Sequence, residues 1–358
     1  ISASRVTVVT GESGSGKTAL IANWLHERAI VKVKANANDL VFQHHLGASS
    51  DAADPERLAR RMLEWIWRVV EPEAAAKAEA EGIQSAQGKK QFPADKQELF
   101  QIIPEWLARA SSYAKMHNKN FVIVLDALDK LTSERRMGWL PKFIPERVQL
   151  VLTTLAGEPM DMLAERGWTK SAIVIAPLTR KVRRELIMST LQRAGKALTA
   201  AQSNRILAHP LSGRPIFLRT LLEELRVFGS HEQLTAHIDM LLTAETVDDI
   251  FERVLERIEM DVGAARVKRA MVGLWSSRHG LSDTEVTAMC NVSLMDWAAI
   301  RLRLDDALYD DAGRSKCAHD YLRKAIQDRY LPSQKNQRGA HYKAAQWWSA
   351  QEVDARMI

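Results

Sequence analysis

Hydrophobic and polar positions divide the 358-residue chain into two unlike halves. In the first half, short runs of β-branched and apolar residues alternate with stretches of helical period. The runs are Arg5 to Thr10 (RVTVVT), Leu40 to Leu46 (LVFQHHL), Phe121 to Asp126 (FVIVLD), Val148 to Thr153 (VQLVLT) and Ala172 to Ala176 (AIVIA). Runs that are apolar on both faces predict strands of a parallel sheet covered on both sides. The helical stretches between them are Thr18 to Arg28, Pro55 to Val70 and Leu99 to Lys115. In the second of these, Leu58, Met62, Trp65, Ile66 and Val69 recur at helical spacing. Glu71 to Pro93 is rich in Ala, Glu, Lys and Gln and almost free of large apolar residues, so residues 71–95 are expected to form an exposed, mobile insertion.

After Pro177 the strand runs stop. Thr179 to about Met260 carries helical periodicity alone, as in Ile216, Leu218, Leu221, Leu222 and Leu225. From Val262 the pattern changes again, with helices expected near 264–278, 282–290 and 293–307. The turn Asp311-Ala312-Gly313 then separates two short extended pieces, Leu308-Tyr309 and Lys316-Cys317, and helices follow at 320–330 and 335–350. Ser282-Asp283-Thr284-Glu285 is a capping box, which fixes one helix start. Three helices followed by a small hairpin is the outline of a winged helix. The expected organisation is therefore an α/β domain over 1–177, an all-helical domain over 178–260, and a winged-helix domain with the start of a further helical region over 261–358. There is no internal repeat.

Composition narrows the class. A hydrophobic share of 46% with 26% charged residues suits a globular chain. No apolar run approaches the ~18–20 residues needed to cross a bilayer, so no membrane partner is expected. The net charge of +6 permits nucleic-acid contact without arguing for it, because the basic residues are mostly interleaved with acidic ones. Cys290 and Cys317 have no metal or disulfide spacing, which fits a reducing, cytoplasmic setting. His44 and His45 have no further His or Cys at ligand spacing, so a strand-end or packing role is expected. Trp347-Trp348 is assigned to core or interface surface rather than to a stacking platform. The chain begins at Ile1 without Met or a signal-like leader and ends at Ile358 close behind a helical pattern. It is expected to be the ordered part of a larger protein.

The candidate chemistry lies in Gly11-Glu12-Ser13-Gly14-Ser15-Gly16-Lys17-Thr18, with Ala19 following. This fits G-x-x-x-x-G-K-[ST], with a strand before it and a helix after it. Glycines let successive N–H groups turn inward onto phosphate oxygens, and the following helix adds its dipole. Lys17 is expected to meet the β- and γ-phosphates, and the Thr18 hydroxyl to ligate Mg²⁺. The expected ligand is thus a nucleoside triphosphate with Mg²⁺, ATP being favoured. Such a loop needs an acid at the end of a second buried strand, and Asp126 supplies it as the magnesium partner, held directly or through water. A carboxylate ending an apolar strand is expensive without a cation. Asp129 is placed to polarise an attacking water; the alternative is a helix cap or a loop salt bridge.

At this point the residues resemble a family. VIVLDALDKL looks like the magnesium-binding strand of STAND-class signalling NTPases of the NACHT type. These carry a tiny residue after the magnesium Asp and a second acid three positions along, matched here by Ala127 and Asp129. Val41 to Ser49 (VFQHHLGAS), Trp139-Leu140-Pro141…Ile144-Pro145 and Leu211-Ser212-Gly213-Arg214-Pro215…Glu224-Leu225-Arg226 are similar to one subgroup. That subgroup includes the NTPase cores of telomerase-associated and nephrocystin-like proteins and bacterial relatives, and the likeness runs from about residue 5 to 350. It implies an α/β P-loop NTPase domain, then a helical domain, then a winged helix. It further implies that Thr153 and Thr154 sense the γ-phosphate, although many relatives have Arg there and this chain does not. It implies that Pro215 packs against adenine; a proline opening a helix is equally compatible. It implies that His319, in Cys317-Ala318-His319-Asp320, holds ADP in the resting state, the alternative being an ordinary helix N-cap region.

The function this resemblance implies is an ATP/ADP-dependent switch, closed with ADP, forming homo-oligomers with ATP and hydrolysing slowly. A C-terminal region outside this chain would sense an unknown trigger, with antiviral defence as one setting. The competing expectation is a DNA-binding ATPase resembling origin-recognition proteins. Against it, the candidate recognition helix Leu294 to Asp306 sets Asp296, Asp305 and Asp306 against Arg301 and Arg303. A metabolic kinase is disfavoured by the long helical second half.

Overall fold

The computed structural model describes residues 5–35, 39–48, 51–80, 92–133, 137–230, 232–304 and 307–351. Two compact units meet in sequence between Ala176 and Pro177.

The first unit is built on five parallel strands: β1 (Val6–Thr10), β2 (Asp39–His45), β3 (Asn120–Asp126), β4 (Val148–Thr154) and β5 (Ile173–Val174). Their order across the sheet is β2-β3-β4-β1-β5. The strand before the glycine loop and the strand ending in Asp126 are therefore not neighbours; β4 lies between them. Strand alternation sends Phe121, Ile123 and Leu125 to one face and Val122 and Val124 to the other. The first face packs on α2 (Pro55–Val70) and α5 (Ile103–Met116), where Leu58, Met62, Leu63, Ile66 and Leu107 are buried. The second face is thinly covered by α1 (Lys17–Ala35), with Ile21 its buried residue and Trp24 and Leu25 alongside.

Several expected elements change. The helix after the glycine loop runs to Ala35 rather than Arg28, since no breaker intervenes. The stretch 99–115 is two helices, α4 (Lys96–Gln101) and α5, with Pro104 in the first turn of the second. Proline has no N–H for an interior helix bond but is tolerated in a first turn. The last strand shrinks to two exposed residues. The expected exposed insertion is corrected in its described parts. Pro72–Ala80 is helix α3, Ala75 is buried, Glu71 accepts from Trp67 Nε1 at 3.1 Å, and Phe92 packs edge-on against Trp106. Small alanines and one aromatic anchor suffice for that. Residues 81–91 of the insertion lie outside the described residues.

The second unit is helical apart from one hairpin. Its helices are α7 (Arg180–Arg193), α8 (Ala200–Ala208), α9 (Pro215–Val227), α10 (Leu234–Leu241), α11 (Val247–Val262), α12 (Ala264–Ser276), α13 (Asp283–Cys290), α14 (Leu294–Arg303), α15 (Asp320–Tyr330) and α16 (Gln334–Ser349); α6 (Glu158–Glu165) belongs to the first unit. One continuous apolar cluster runs from Ile187 to Ala340. The Ser282 box forms as expected, with Ser282 Oγ accepting from Glu285 N and Glu285 reaching back to Ser282 N. Strands β6 (Leu308–Asp311) and β7 (Arg314–Cys317) are antiparallel, joined by Ala312 and Gly313, both at positive φ. Two such residues match the twist of a tight hairpin. Arg314 bonds Glu285 at 2.6 Å and fastens the hairpin to α13. Helix α14 ends at Arg303 rather than 307, and Asp305 and Asp306 lie outside the described residues.

Candidate functional site

The glycine loop sits where β1 hands over to α1, at the carboxyl end of the sheet, where open α/β sheets bind ligands. Gly14 and Gly16 have φ of 71° and 94°, a region that side-chain-bearing residues seldom enter. A side chain at Gly11 would place its Cβ 2.8 Å from Ser15 Oγ and 3.3 Å from Ile175 Cβ. Lys17 Nζ donates to Gly11 O and Glu12 O, both at 2.9 Å. Burial lowers the Lys17 pKa, against the pull of Asp129 and Asp126. Ser15 Oγ is buried and has no hydrogen-bond partner among the described residues. An unsatisfied buried hydroxyl inside a glycine-rich loop that ends at a helix N-terminus fits an acceptor-rich ligand such as a phosphate.

Asp126 is 2% exposed and ends β3. Its Oδ2 accepts from Thr18 Oγ1 at 2.8 Å and from His45 Nδ1 at 3.2 Å; its Oδ1 accepts from Thr153 Oγ1 at 2.5 Å. Burial pushes its carboxyl up, but the bonds from His45, Thr153 and Thr18 outweigh burial and hold it below the usual carboxylate range. Among the described residues no Lys or Arg forms an ion pair with it, and no group of three or more His, Cys, Asp or Glu could hold a metal. Mg²⁺ needs no protein cage: one carboxylate, one hydroxyl, phosphate oxygens and waters complete its octahedron. Thr18 and Asp126, in mutual contact, fit that donor set.

The turn after β3 is made by Ala127 in the left-handed region, φ 65°, with its N–H bonded to Thr153 Oγ1 at 2.8 Å. Asp129 follows in a short 3-10 turn, half-buried, and its Oδ1 accepts from Leu155 N at 3.2 Å while Lys130 stands 4.0 Å away. One carboxylate oxygen thus ties the β4 exit.

Among the residues chosen from sequence, the structure brings Gly11 to Ala19, Asp126, Asp129 and Thr153 together at one end of the sheet. Thr153 and Thr154 part company. Alternation puts Thr153 on the face of Asp126, whereas Thr154 faces the Leu150 and Leu152 side, its buried hydroxyl without a partner among the described residues. Pro215 and His319 belong to the second unit. Pro215 opens α9 and His319 occupies the N-cap position of α15. Ile216, Arg219, Thr220, Phe251 and His319 line a cavity of about 30 Å³ there.

Sequence reasoning missed His45 as an Asp126 partner. His44 is the packing residue: buried, its Nε2 bonded to Ala52 O at 2.7 Å and its Nδ1 beside Arg61 at 3.2 Å. His45 points to the opposite face, and the β2–β3 register sets it directly opposite Asp126. The signal was its place at the end of a strand beside the strand that ends in Asp126.

The family model of the NACHT domain matches residues 5–194. A TPR repeat-containing protein of Dictyostelium discoideum is 25% identical over 92% of this chain and 21% of its own length. Telomerase protein component 1 of Rattus norvegicus is 23% identical over 81% of this chain and 11% of its own. NACHT domain- and WD repeat-containing protein 1 of Homo sapiens is 27% identical over 60% of this chain and 15% of its own. The chain thus spans about a fifth or less of the length of these curated relatives. Among solved structures, a STAND protein with a tetratricopeptide repeat sensor from Pyrococcus horikoshii has a TM-score of 0.47 at 11% identity, covering 98% of this chain and 44% of that one. The chain belongs to the NACHT domain family of P-loop NTPases.

Proposed function

We propose that this chain is the ATP/ADP-dependent core of a larger signal-transduction protein, closed with ADP and oligomerising with ATP. The observation that carries the reading is the Thr18–Asp126–Thr153 constellation beside a loop whose Ser15 hydroxyl is buried and unpartnered. Lys17 leaves its two loop carbonyls to meet the β- and γ-phosphates, and the inward N–H groups hold their oxygens. Thr18 and Asp126 would hold Mg²⁺, which when bound would neutralise phosphate charge. Asp129 orients the attacking water through the carboxylate oxygen that does not bind Leu155. The sensing role proposed for the threonine pair falls to Thr153, which already touches Asp126; Thr154 faces the other side of the sheet.

Residues 178–260 act as the helical domain and 261–358 as a winged helix in this reading. Pro215 packs on adenine, and His319 contacts the β-phosphate in the ADP state. ATP and ADP need only differ in affinity for the two states to shift the population. The names of the relatives carry TPR or WD repeats, which supports a repeat sensor elsewhere in the full-length protein. No described helix is long and apolar enough to cross a membrane. A cytoplasmic site, slow hydrolysis and a part in antiviral defence complete the proposal.

The DNA-binding alternative gains nothing from α14. Arg301 pairs with Asp283 and Asp310, Arg303 pairs with Asp261, and Leu294, Met295 and Leu302 are exposed. Its arginines are neutralised internally and its outer face is apolar, the opposite of a phosphate-binding face. The test is His319→Ala in the full-length protein, read by nucleotide retention and light scattering. Faster ADP release and assembly without trigger are expected; unchanged exchange and assembly would sink the clasp.

A further inference from the structure

His45 stands outside every role assigned so far. It ends β2, the edge strand of the sheet, and its ring lies on the face shared by Asp126, Thr153 and α1. Asp126 Oδ2 has two donors, Thr18 Oγ1 at 2.8 Å and His45 Nδ1 at 3.2 Å. These two differ in what nucleotide demands of them. A hydroxyl that ligates a cation must turn a lone pair to it while its O–H goes on serving the carboxylate, so Thr18 would hold two partners at once. An imidazole N–H has no such second duty. The remaining supports of the carboxylate are then Thr153 on Oδ1 and His45 on Oδ2, one from each strand flanking β3. The Asp126 side chain is 3% exposed, so water is a poor substitute for either donor. His45 also lines a cavity of about 470 Å³ with Ala22, Leu25, His26, Asp39 and Gln43.

We propose that His45 is a positioning residue for the magnesium site: its Nδ1–H fixes Asp126 Oδ2 in the orientation that Mg²⁺–nucleotide binding requires. The proposal rests on the nucleotide-switch reading above and adds to it a residue on a strand that touches neither phosphate nor adenine in that reading. Partners that orient a metal-binding carboxylate typically contribute 10–100-fold to metal affinity.

The experiment is equilibrium binding of a fluorescent ATP analogue to the full-length protein, titrated with MgCl₂ and repeated in EDTA. His45→Leu removes the donor; His45→Asn keeps an N–H close to the Nδ1 position. For His45→Leu, the Mg²⁺ concentration giving half-maximal enhancement is expected to rise on the order of 10-fold, with affinity in EDTA unchanged. His45→Asn should restore most of the difference. Equal Mg²⁺ midpoints in wild type and His45→Leu overturn the proposal, as does an equal loss in EDTA and in Mg²⁺, which a purely structural role would give. If His45→Leu does not fold, His45→Ala against His45→Asn makes the same comparison. Wild-type protein that binds no nucleotide under either condition overturns the switch reading and this proposal together, whereas Mg²⁺-dependent binding that ignores His45 overturns this proposal alone.

Discussion

Asp126 in the first unit and Glu224 in the second are both carboxylates at 2% exposure, and they are satisfied in opposite ways. Glu224, on α9, faces the Arg257 guanidinium of α11 in a two-pronged pair, at 2.5 Å to Oε2 and 2.9 Å to Oε1. Arg257 also reaches Asp261 at 3.0 Å, and Asp261 receives Arg303 of α14. Three helices are thus laced by one alternating row of charges, and every charge has its partner inside the fold. Asp126 has no guanidinium or ammonium paired with it among the described residues; two hydroxyls and an imidazole hold it. The difference matches the proposed roles, a structural charge in Glu224 and a binding charge in Asp126. A carboxylate already neutralised has nothing left for a ligand. A carboxylate that hydrogen bonds keep ionised, with no Lys or Arg ion-paired to it among the described residues, suits the cation site proposed above.

The comparison predicts where each substitution registers, and the largest effect belongs to the second unit. Arg257→Ala strands Glu224 without its cation and should lower unfolding free energy by about 3–5 kcal/mol, read by urea denaturation. The double change Glu224→Leu with Arg257→Met should recover most of that loss, because an apolar pair of similar volume removes both desolvation penalties. A loss under about 1 kcal/mol for the single change would place Glu224 in the same class as Asp126 and erase the contrast. Asp126→Asn should do the reverse. Nucleotide affinity in Mg²⁺ is expected to fall on the order of 10–100-fold, while the denaturation midpoint shifts little. Calorimetric titration with and without Mg²⁺ measures it.

Threonine 153 sharpens the contrast one step down. Thr153→Val removes the donor to Asp126 Oδ1 and leaves the Ala127 N–H unpaired, at a cost of about 1–3 kcal/mol. Thr154→Val deletes a buried hydroxyl that has no partner, so it should be neutral or slightly stabilising. Equal effects from the two would mean that strand alternation does not separate them. The smallest effect is one of pH. The Asp126 pKa is depressed in the folded protein, so its contribution to stability is full above the unfolded carboxyl value. It is lost as pH falls through the lower folded value. In nucleotide-free protein, the small melting difference between wild type and Asp126→Asn should therefore shrink only as pH falls below about 4, the unfolded carboxyl value. A difference that grows on acidification would reverse the sign assigned here.

Local pattern carried the reader far in this chain. The glycine loop, the strand ending at Asp126, the Ser282 capping box and the hairpin around Gly313 are each written in a few consecutive residues, because each answers to local backbone geometry. What local pattern lacks is lateral order. Nothing within β2 states that it borders β3, so His45 looked like a strand-end residue until the register set it opposite Asp126. Thr153 and Thr154 looked interchangeable for the same reason; alternation alone assigns them to opposite faces, but only position beside β3 shows which face carries the carboxylate. The stretch after Glu71 has few large side chains, yet it is partly buried. Ala75 and Phe92 show that a helix needs only a small contact face and an anchor.

The bend at Ala127 has a mechanical consequence. A residue with a side chain held at φ 65° stores about 1–2 kcal/mol, and the Thr153 hydroxyl that pins its N–H also pins Asp126. The Lys130 N–H on Ala127 O, at 2.9 Å, closes the same turn from its far side. One hydroxyl thus couples the position of the Asp126 carboxylate to the strained turn that carries Asp129. A glycine at position 127 would relieve the backbone strain and leave both Thr153 bonds in place.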